Sequence, residues 1–152
     1  MADSFSFILN GRPVEVRATS PNTTLLEYLR ESGLTGSKEG CAEGDCGACS
    51  VAIIDRAADG QPAYRAVNSC LMPVCLLAGR EVVSVEGVGG CAKMHPVQRS
   101  MAEGGGSQCG YCTPGFVCSL FEGYYRDDLH THEDLDDQLA GNLCRCTGRS
   151  SR

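Results

Sequence analysis

Cysteines are the residues of this chain whose number and spacing point most directly to chemistry. The sequence holds 11 of them. Most fall into two sets of four: Cys41, Cys46, Cys49 and Cys70 in the first half, and Cys109, Cys112, Cys144 and Cys146 in the second. An odd number of cysteines, in a chain whose first residues lack the pattern of an export signal, fits a disulfide scaffold poorly. The two sets therefore predict two four-thiolate metal sites in a cytoplasmic protein.

The first set has the spacing of a plant-type [2Fe–2S] site, with C-x4-C-x2-C in one loop and a fourth, distant cysteine. Three thiolates from one tight loop need a backbone that folds closely around the inorganic core. Gly40, Gly44 and Gly47 provide such a backbone. Zinc ligands usually come as two matched sequence pairs, so zinc and purely structural thiols are the weaker alternatives here.

The second set consists of a C-x2-C pair, Cys109 and Cys112, and a C-x-C pair, Cys144 and Cys146. This spacing is less specific, because C-x2-C also serves zinc binding and dithiol redox chemistry. A thioredoxin-like role needs a strand before the pair, and the sequence predicts none there. A second iron–sulfur cluster is favoured because the chain already carries one such loop, while zinc stays open on spacing alone.

The remaining chemistry-bearing residues predict no further site. Cys75 and Cys118 are expected to be buried apolar side chains, and Cys91 an exposed, oxidisable thiol. Arg145 lies between two candidate ligands, where it either offsets cluster charge or faces solvent. The acidic run over residues 127–137 predicts a solvated face, because its spacing matches no calcium loop. No residue of the chain is predicted to be catalytic.

Composition limits the class of protein and its partners. A length of 152 residues suits one medium domain or two small ones, and 42% hydrophobic residues is ordinary for a globular protein. The net charge of −6 argues against nucleic acid or an anionic membrane surface as a partner. No apolar run approaches the ~20 residues of a membrane span.

The first half of the chain has the signals of strands around one helix. Residues 5–9 and 14–18 alternate apolar and polar side chains around Asn10-Gly11, which predicts a β-hairpin. Thr24 and Glu27 form the capping-box pattern that opens a helix. Further short strands are predicted at residues 51–54, 63–68 and 81–86, with a helical turn over 71–78. This order of elements predicts a mixed sheet packed on one helix.

The second half of the chain has the signals of helices. Residues 87–90 predict a linker, and Pro96 then predicts the start of a helix. Thr113-Pro114 predicts the N-cap and first position of a second helix, and Thr131 with Asp134 the start of a third. A helical domain of about 60 residues is only marginally stable on the strength of its hydrophobic core, and a bound metal would add the stability it lacks.

Several stretches resemble the molybdenum hydroxylases, the xanthine dehydrogenase and aldehyde oxidase family. Residues 36–49 (GSKEGCAEGDCGAC) resemble the first cluster loop of that family. Residues 107–116 (SQCGYCTPGF) and 141–148 (GNLCRCTG) resemble its second cluster motifs. With residues 84–87 and 95–98, the resemblance runs over essentially the whole chain.

The resemblance implies an α+β protein with two [2Fe–2S] clusters. An N-terminal β-grasp, plant-type ferredoxin-like domain is expected over residues 1–88, and an all-α four-helix domain over residues 89–152. In the family, electrons pass from a molybdopterin through the helical-domain cluster and then the ferredoxin-like cluster to FAD. The molybdopterin-binding large subunit and the FAD-binding subunit or domain are separate from this part, so a hetero-oligomer is expected. By the same resemblance, Gln108 and Cys146 would contact the pterin.

The loops are most similar to those of bacterial xanthine dehydrogenases, which implies purine (xanthine or hypoxanthine) oxidation. Family members usually continue with an aromatic residue after the last motif, whereas this chain ends at residues 149–152 (RSSR). It is therefore expected to be either a piece of a longer iron–sulfur and flavin chain or a free-standing small subunit. Three-subunit relatives oxidise aldehydes, N-heterocycles or carbon monoxide. A stand-alone ferredoxin-type carrier and a zinc-stapled binding module are the alternatives from other function classes.

Overall fold

A mixed five-stranded sheet forms the centre of the protein, which is described by a computed structural model over residues 4–56 and 60–147. The strands are β1 (Ser4–Leu9), β2 (Arg12–Arg17), β3 (Ser50–Arg56), β4 (Pro62–Asn68) and β5 (Glu81–Val83). Their order in the sheet is β2-β1-β5-β3-β4. β1 and β5 are parallel and the other neighbours antiparallel, so the predicted mixed sheet is confirmed.

Helices lie between some of the strands and after the last one. They are α1 (Leu25–Glu31), a 3-10 turn (Val74–Leu77), α2 (Val85–Val88), α3 (Pro96–Glu103), α4 (Thr113–Tyr124) and α5 (His132–Gln138). Within the described ranges, none of these helices has the length and apolarity needed to cross a bilayer.

The predicted hairpin and first helix are both present. Asn10 and Gly11 have φ angles of 52° and 74°, as a type I′ turn between β1 and β2 requires. The capping box of α1 is complete: the Glu27 N–H donates to Thr24 Oγ1 at 3.2 Å, and the Thr24 N–H donates to Glu27 Oε2 at 2.7 Å. α1 then buries Leu25 and Leu29 completely against the sheet.

The sheet is covered on both faces. Val51 and Ile53 of β3 belong to the core beneath α1, whereas Ala52 belongs to a second core that includes Val117 and Phe121 of α4. Successive side chains of a strand point to opposite faces, so α1 and α4 lie on opposite sides of the sheet. The prediction of a sheet packed on one helix is therefore incomplete, because the helical half of the chain supplies the second covering layer.

Where the two halves of the chain meet, both the end of β5 and the expected linker differ from the predictions. The strand expected over residues 81–86 ends at Val83, because the Ser84 N–H donates to Asn10 Oδ1 at 2.9 Å instead of extending the sheet. The chain then forms α2, with Ser84 as N-cap. The expected linker at residues 87–90 overlaps this helix, and Val88 is buried in the second core.

The later helices begin close to the predicted residues. α4 starts one position early, with Cys112 as N-cap, because its carbonyl already accepts from the Phe116 N–H at 3.2 Å. Thr131 caps α5 as predicted, and Asp134 completes the capping box.

A carboxylate joins two helices to β4, one of the two outer strands of the sheet. Glu122 Oε2 accepts from the Ala66 N–H of β4 at 2.9 Å and from Gln138 Nε2 of α5 at 3.1 Å. The side chain of Gln138 also donates to the Ser119 carbonyl at 2.9 Å. α4, α5 and the edge of the sheet are thereby joined at one point.

Candidate metal centres

The first candidate site lies where α1, the following loop and the end of β4 meet. The loop between α1 and β3 carries Cys41, Cys46 and Cys49, and Cys70 follows β4. Cys49 and Cys70 are buried and contact Leu26 of α1, whereas Cys41 and Cys46 are half-buried. The fold therefore brings the distant Cys70 beside Cys49 of the loop.

Backbone donors and burial act on different thiols of the first site. The N–H groups of Glu43 and Cys46 point at Cys41 and lower the pKa of its thiol to about 7. Burial, with the neighbouring Cys49, raises the pKa of Cys70 to about 11. The first site thus combines a loop thiol that ionises readily, Cys41, with a buried thiol from outside the loop, Cys70, and a metal would take both as thiolates.

The second candidate site lies at the start of α4 and after α5. Cys109 and Cys112 directly precede α4, and Cys144 and Cys146 follow the end of α5. Cys109 and Cys146 are exposed, whereas Cys112 and Cys144 are half-buried. Hydrogen bonds from the side chain and backbone of Thr147 lower the pKa of Cys144 to about 6, while burial raises the pKa of Cys112 to about 11.

In both sites the thiols interact as spatial pairs. The pairs are Cys41 with Cys46 and Cys49 with Cys70 in the first site, and Cys109 with Cys146 and Cys112 with Cys144 in the second. Electrostatic interactions also join the pairs, from Cys41 to Cys70 and from Cys109 to Cys112. Within the described part of the chain, no three His, Cys, Asp or Glu side chains surround a single ion position. Two thiolates for each of two irons is the donor set of a [2Fe–2S] cluster, so these residues suit that group.

The two sites share a border. The Leu143 N–H donates to the Cys46 carbonyl at 3.0 Å, and the Asn142 amide donates to the Gly47 carbonyl at 3.3 Å. The Tyr111 hydroxyl donates to the Glu39 carbonyl. A cavity of about 230 Å³ lies along this border, lined by Gly40 and Cys46 on one side and by cysteines of the second site on the other.

Close packing of glycines makes this border possible. A Cβ on Gly115 of α4 would lie 2.0 Å from the Gly47 carbonyl oxygen, and a Cβ on Gly47 would lie 2.2 Å from the Gly141 carbonyl oxygen. Gly47 also has a φ of 68°, which favours glycine. Neither position accepts a side chain without moving backbone.

The other predicted site residues are placed as follows. Gln108, the candidate pterin contact, is exposed beside Cys109, and Arg145 is exposed between its two cysteines. Cys118 is completely buried and Cys91 is exposed, as predicted. Cys75 was predicted to be buried but is only half-buried, because it lies in the short 3-10 turn with its thiol 3.8 Å from the Pro21 carbonyl. Gly148 and residues 149–152 of the last motif and terminus lie outside the described residues.

Sequence reasoning missed the residues that join the two sites. Asn142, Leu143 and Tyr111 lie beside the cysteines of the second site and reach the loop of the first. Cysteine spacing carries no signal for such contacts, because it identifies ligands within one site only.

Comparison with known proteins identifies two domains. The family described as "2Fe-2S iron-sulfur cluster binding domain" matches residues 7–75, and the family described as "[2Fe-2S] binding domain" matches residues 84–151. These two ranges contain the first and second sets of cysteines respectively.

The chain is similar to enzymes that are named for different activities. It is 44% identical to the xanthine dehydrogenase of Emericella nidulans over 96% of this chain, and 46% identical to aldehyde oxidase 2 of Cavia porcellus over 97%. The chain spans only 11% of the length of each of these curated relatives. Among solved structures, a chain of quinoline 2-oxidoreductase from Pseudomonas putida 86 superposes with a TM-score of 0.80 at 33% identity. That superposition covers 97% of this chain and 85% of that one.

Proposed function

Since the chain belongs to the iron–sulfur domains of the molybdenum hydroxylase family, we propose that it is the electron-transfer part of such an enzyme. It holds two [2Fe–2S] clusters between a molybdopterin and an FAD that other domains or subunits carry. The observation that carries this proposal is the presence of two bordering four-cysteine sites, each divided into two thiol pairs. A [2Fe–2S] cluster, when bound, takes up and releases one electron at a time.

The residues of the chain hold and shield the clusters. In the first site the ligands are Cys41, Cys46, Cys49 and Cys70, and in the second Cys109, Cys112, Cys144 and Cys146. Backbone N–H groups at Cys41 stabilise thiolate charge, and burial of Cys49 and Cys70 keeps water away from one side of the first site. Hydrogen bonds to the sulfurs and exclusion of water both change the reduction potential of an iron–sulfur cluster.

The exposed side of the second site is the proposed face toward the molybdopterin. Cys109, Cys146 and Gln108 are all exposed there, so a partner can approach them directly. The first site is proposed to face the flavin. The partners are a molybdopterin-binding large subunit or domain and an FAD-binding one. The assembly is proposed to be cytoplasmic, where cysteine thiols are kept from forming disulfides.

For the whole enzyme we propose purine hydroxylation, with xanthine or hypoxanthine as substrate. The similarity to xanthine dehydrogenases supports this choice. An aldehyde is the second candidate, because the identity to an aldehyde oxidase is as high. Reduction of the assembled enzyme by xanthine, compared with reduction by an aldehyde, distinguishes the two.

We also propose that the ferredoxin-like domain covers residues 1–88 and that a four-helix cluster domain covers residues 89–152. The matched family ranges, which end at 75 and begin at 84, support a boundary in this region. In the described part of residues 89–152 the chain forms three helices, α3, α4 and α5, and the fourth helix, α2, ends at Val88, just before the proposed boundary.

Metal and sulfide analysis of the purified chain, with EPR after dithionite reduction, tests the central proposal. We expect about four iron and four acid-labile sulfide per chain and two distinct reduced-cluster signals. Tightly bound zinc without sulfide would contradict the proposal and favour the zinc-stapled alternative.

A further inference from the structure

Three hydrogen bonds join the loop of the first site to the second site, and we call them the loop bridge. The donors are the Tyr111 hydroxyl, the Asn142 amide and the Leu143 N–H, and the acceptors are the carbonyls of Glu39, Gly47 and Cys46. Two of the three donors are side-chain groups, so these two hydrogen bonds depend on the residue types at positions 111 and 142.

Asn142 acts on the segment between two ligands of the first site. Its side chain is 2% exposed, and it donates to the Gly47 carbonyl, which lies between Cys46 and Cys49. The same carbonyl accepts from the N–H and hydroxyl of Ser50, at 3.1 and 2.8 Å. Together the three donors fix the direction of the peptide between Gly47 and Ala48, within the segment that joins Cys46 to Cys49.

Tyr111 acts on the other end of the same loop. It stands between Cys109 and Cys112, and its hydroxyl reaches the Glu39 carbonyl just before Gly40 and Cys41. A Cβ on Gly40 would lie 2.7 Å from Cys46 Sγ, so this stretch borders a ligand directly. The ring of Tyr111 is half exposed, so removal of the hydroxyl leaves no buried cavity.

We propose that Tyr111 and Asn142 are positioning residues through which the second site sets the geometry of the first. This rests on the proposed function, since it concerns the cluster that the first site would hold. The properties of an iron–sulfur cluster depend on hydrogen bonds to its sulfurs and on its exposure to solvent. A loop held at both ends by the second site keeps those hydrogen bonds fixed, and a loop released at one end does not.

The test compares Tyr111→Phe with Tyr124→Phe in the cluster-loaded chain. Tyr124 is a matched control, because it is exposed to a similar extent and lies in α4 away from the loop bridge. The signal of the first site is identified as the one lost in Cys49→Ser. Readouts are its g-values, its midpoint potential and the rate of iron release from the first site to a chelator.

In Tyr111→Phe we expect shifted g-values and midpoint potential for the first-site signal. We also expect about fivefold faster iron release from that site, the change equivalent to one net hydrogen bond of about 1 kcal/mol. Tyr124→Phe should leave all three unchanged. Asn142→Ala should shift the same first-site signal, and Tyr111→Phe keeps the test decisive if that buried substitution impairs folding.

A first-site signal unchanged in Tyr111→Phe, with any effect confined to the second-site signal, would overturn the inference. That result is distinct from failure of the proposed function, which would show as a wild-type chain without iron and sulfide. Equal shifts in Tyr111→Phe and Tyr124→Phe would also overturn it, because they would show a general effect of removing a tyrosine hydroxyl.

Discussion

Gly115 lies against Gly47 so closely that a Cβ on Gly115 would sit 2.0 Å from the Gly47 carbonyl oxygen. This contact places the first turn of α4, which begins directly after Cys112, on the loop that carries three cysteines of the first site. α4, the helix that covers the second face of the sheet, therefore packs on the loop of the first site and begins at a cysteine of the second site.

Replacing Gly115 by alanine should destabilise the protein. Alanine favours a helix by up to about 1 kcal/mol over glycine, but the clash with backbone should cost more, leaving a net loss of about 1–3 kcal/mol. Thermal and urea unfolding measure the change. Gly123→Ala in the same helix is the control, because its Cβ would meet the movable side chain of Leu129 at 3.0 Å. A Gly115→Ala protein as stable as this control would show that the close contact is not maintained.

Removal of one proposed ligand should affect one cluster only. Cys49→Ser is expected to lower the iron content from about four to about two per chain and to abolish one EPR signal. Cys91→Ser, at an exposed cysteine outside both sites, should leave iron content and both signals unchanged. Loss of a signal in Cys91→Ser would show that the ligand assignment is wrong.

Assembly of the metal sites should become more favourable as pH rises. Burial raises the pKa of Cys70 and of Cys112 to about 11, and each must lose its proton to bind iron. Reconstitution with iron and sulfide should therefore be less complete near about pH 6 than near about pH 8, because a lower proton concentration favours the loss of thiol protons that binding requires. Visible absorbance after reconstitution measures this. Equal loading at both pH values would contradict the proposed thiolate ligation.

The capping box of α1 should make a measurable and pH-dependent contribution to stability. Thr24→Ala is expected to cost about 1 kcal/mol, and Thr35→Ala, at an exposed loop position, should cost little. Hydrogen bonds from Thr24 lower the pKa of Glu27, so the stabilisation is present above the ordinary value of about 4.3 and is lost as pH falls through the lowered one. Thermal unfolding across this acid range should show a smaller loss in Thr24→Ala than in the wild type.

Gln108 should matter for partner binding and not for the clusters. Gln108→Leu is expected to keep iron, sulfide and both EPR signals while weakening retention of the molybdopterin-carrying partner on purification. Its exposure means that the substitution removes no buried contact. Loss of the second-site signal in this variant would instead assign Gln108 a role in holding that site.

Signals carried by neighbouring residues predicted the local structure well. The Asn10-Gly11 turn, the Thr24 and Thr131 capping boxes and the spacing of Cys41, Cys46 and Cys49 each depend on a few adjacent residues. The sequence alone was therefore enough to predict these elements and both sets of candidate ligands.

Features that depend on residues far apart in the chain were not predictable in this way. The early end of β5 depends on Asn10, whose side chain takes the N–H of Ser84. The loop bridge depends on Tyr111 meeting Glu39, and the second covering layer of the sheet depends on α4 returning to it. Periodicity reports which face of an element is apolar, but it does not report which partner covers that face.

Glu122 protects one position on the β4 edge of the sheet. β4 is one of its two outer strands, and an outer strand with free N–H groups can pair with another chain and start aggregation. The carboxylate of Glu122 occupies the Ala66 N–H that points away from β3, and it carries negative charge to that edge. An incoming strand would have to displace this carboxylate before it could add to the sheet at Ala66.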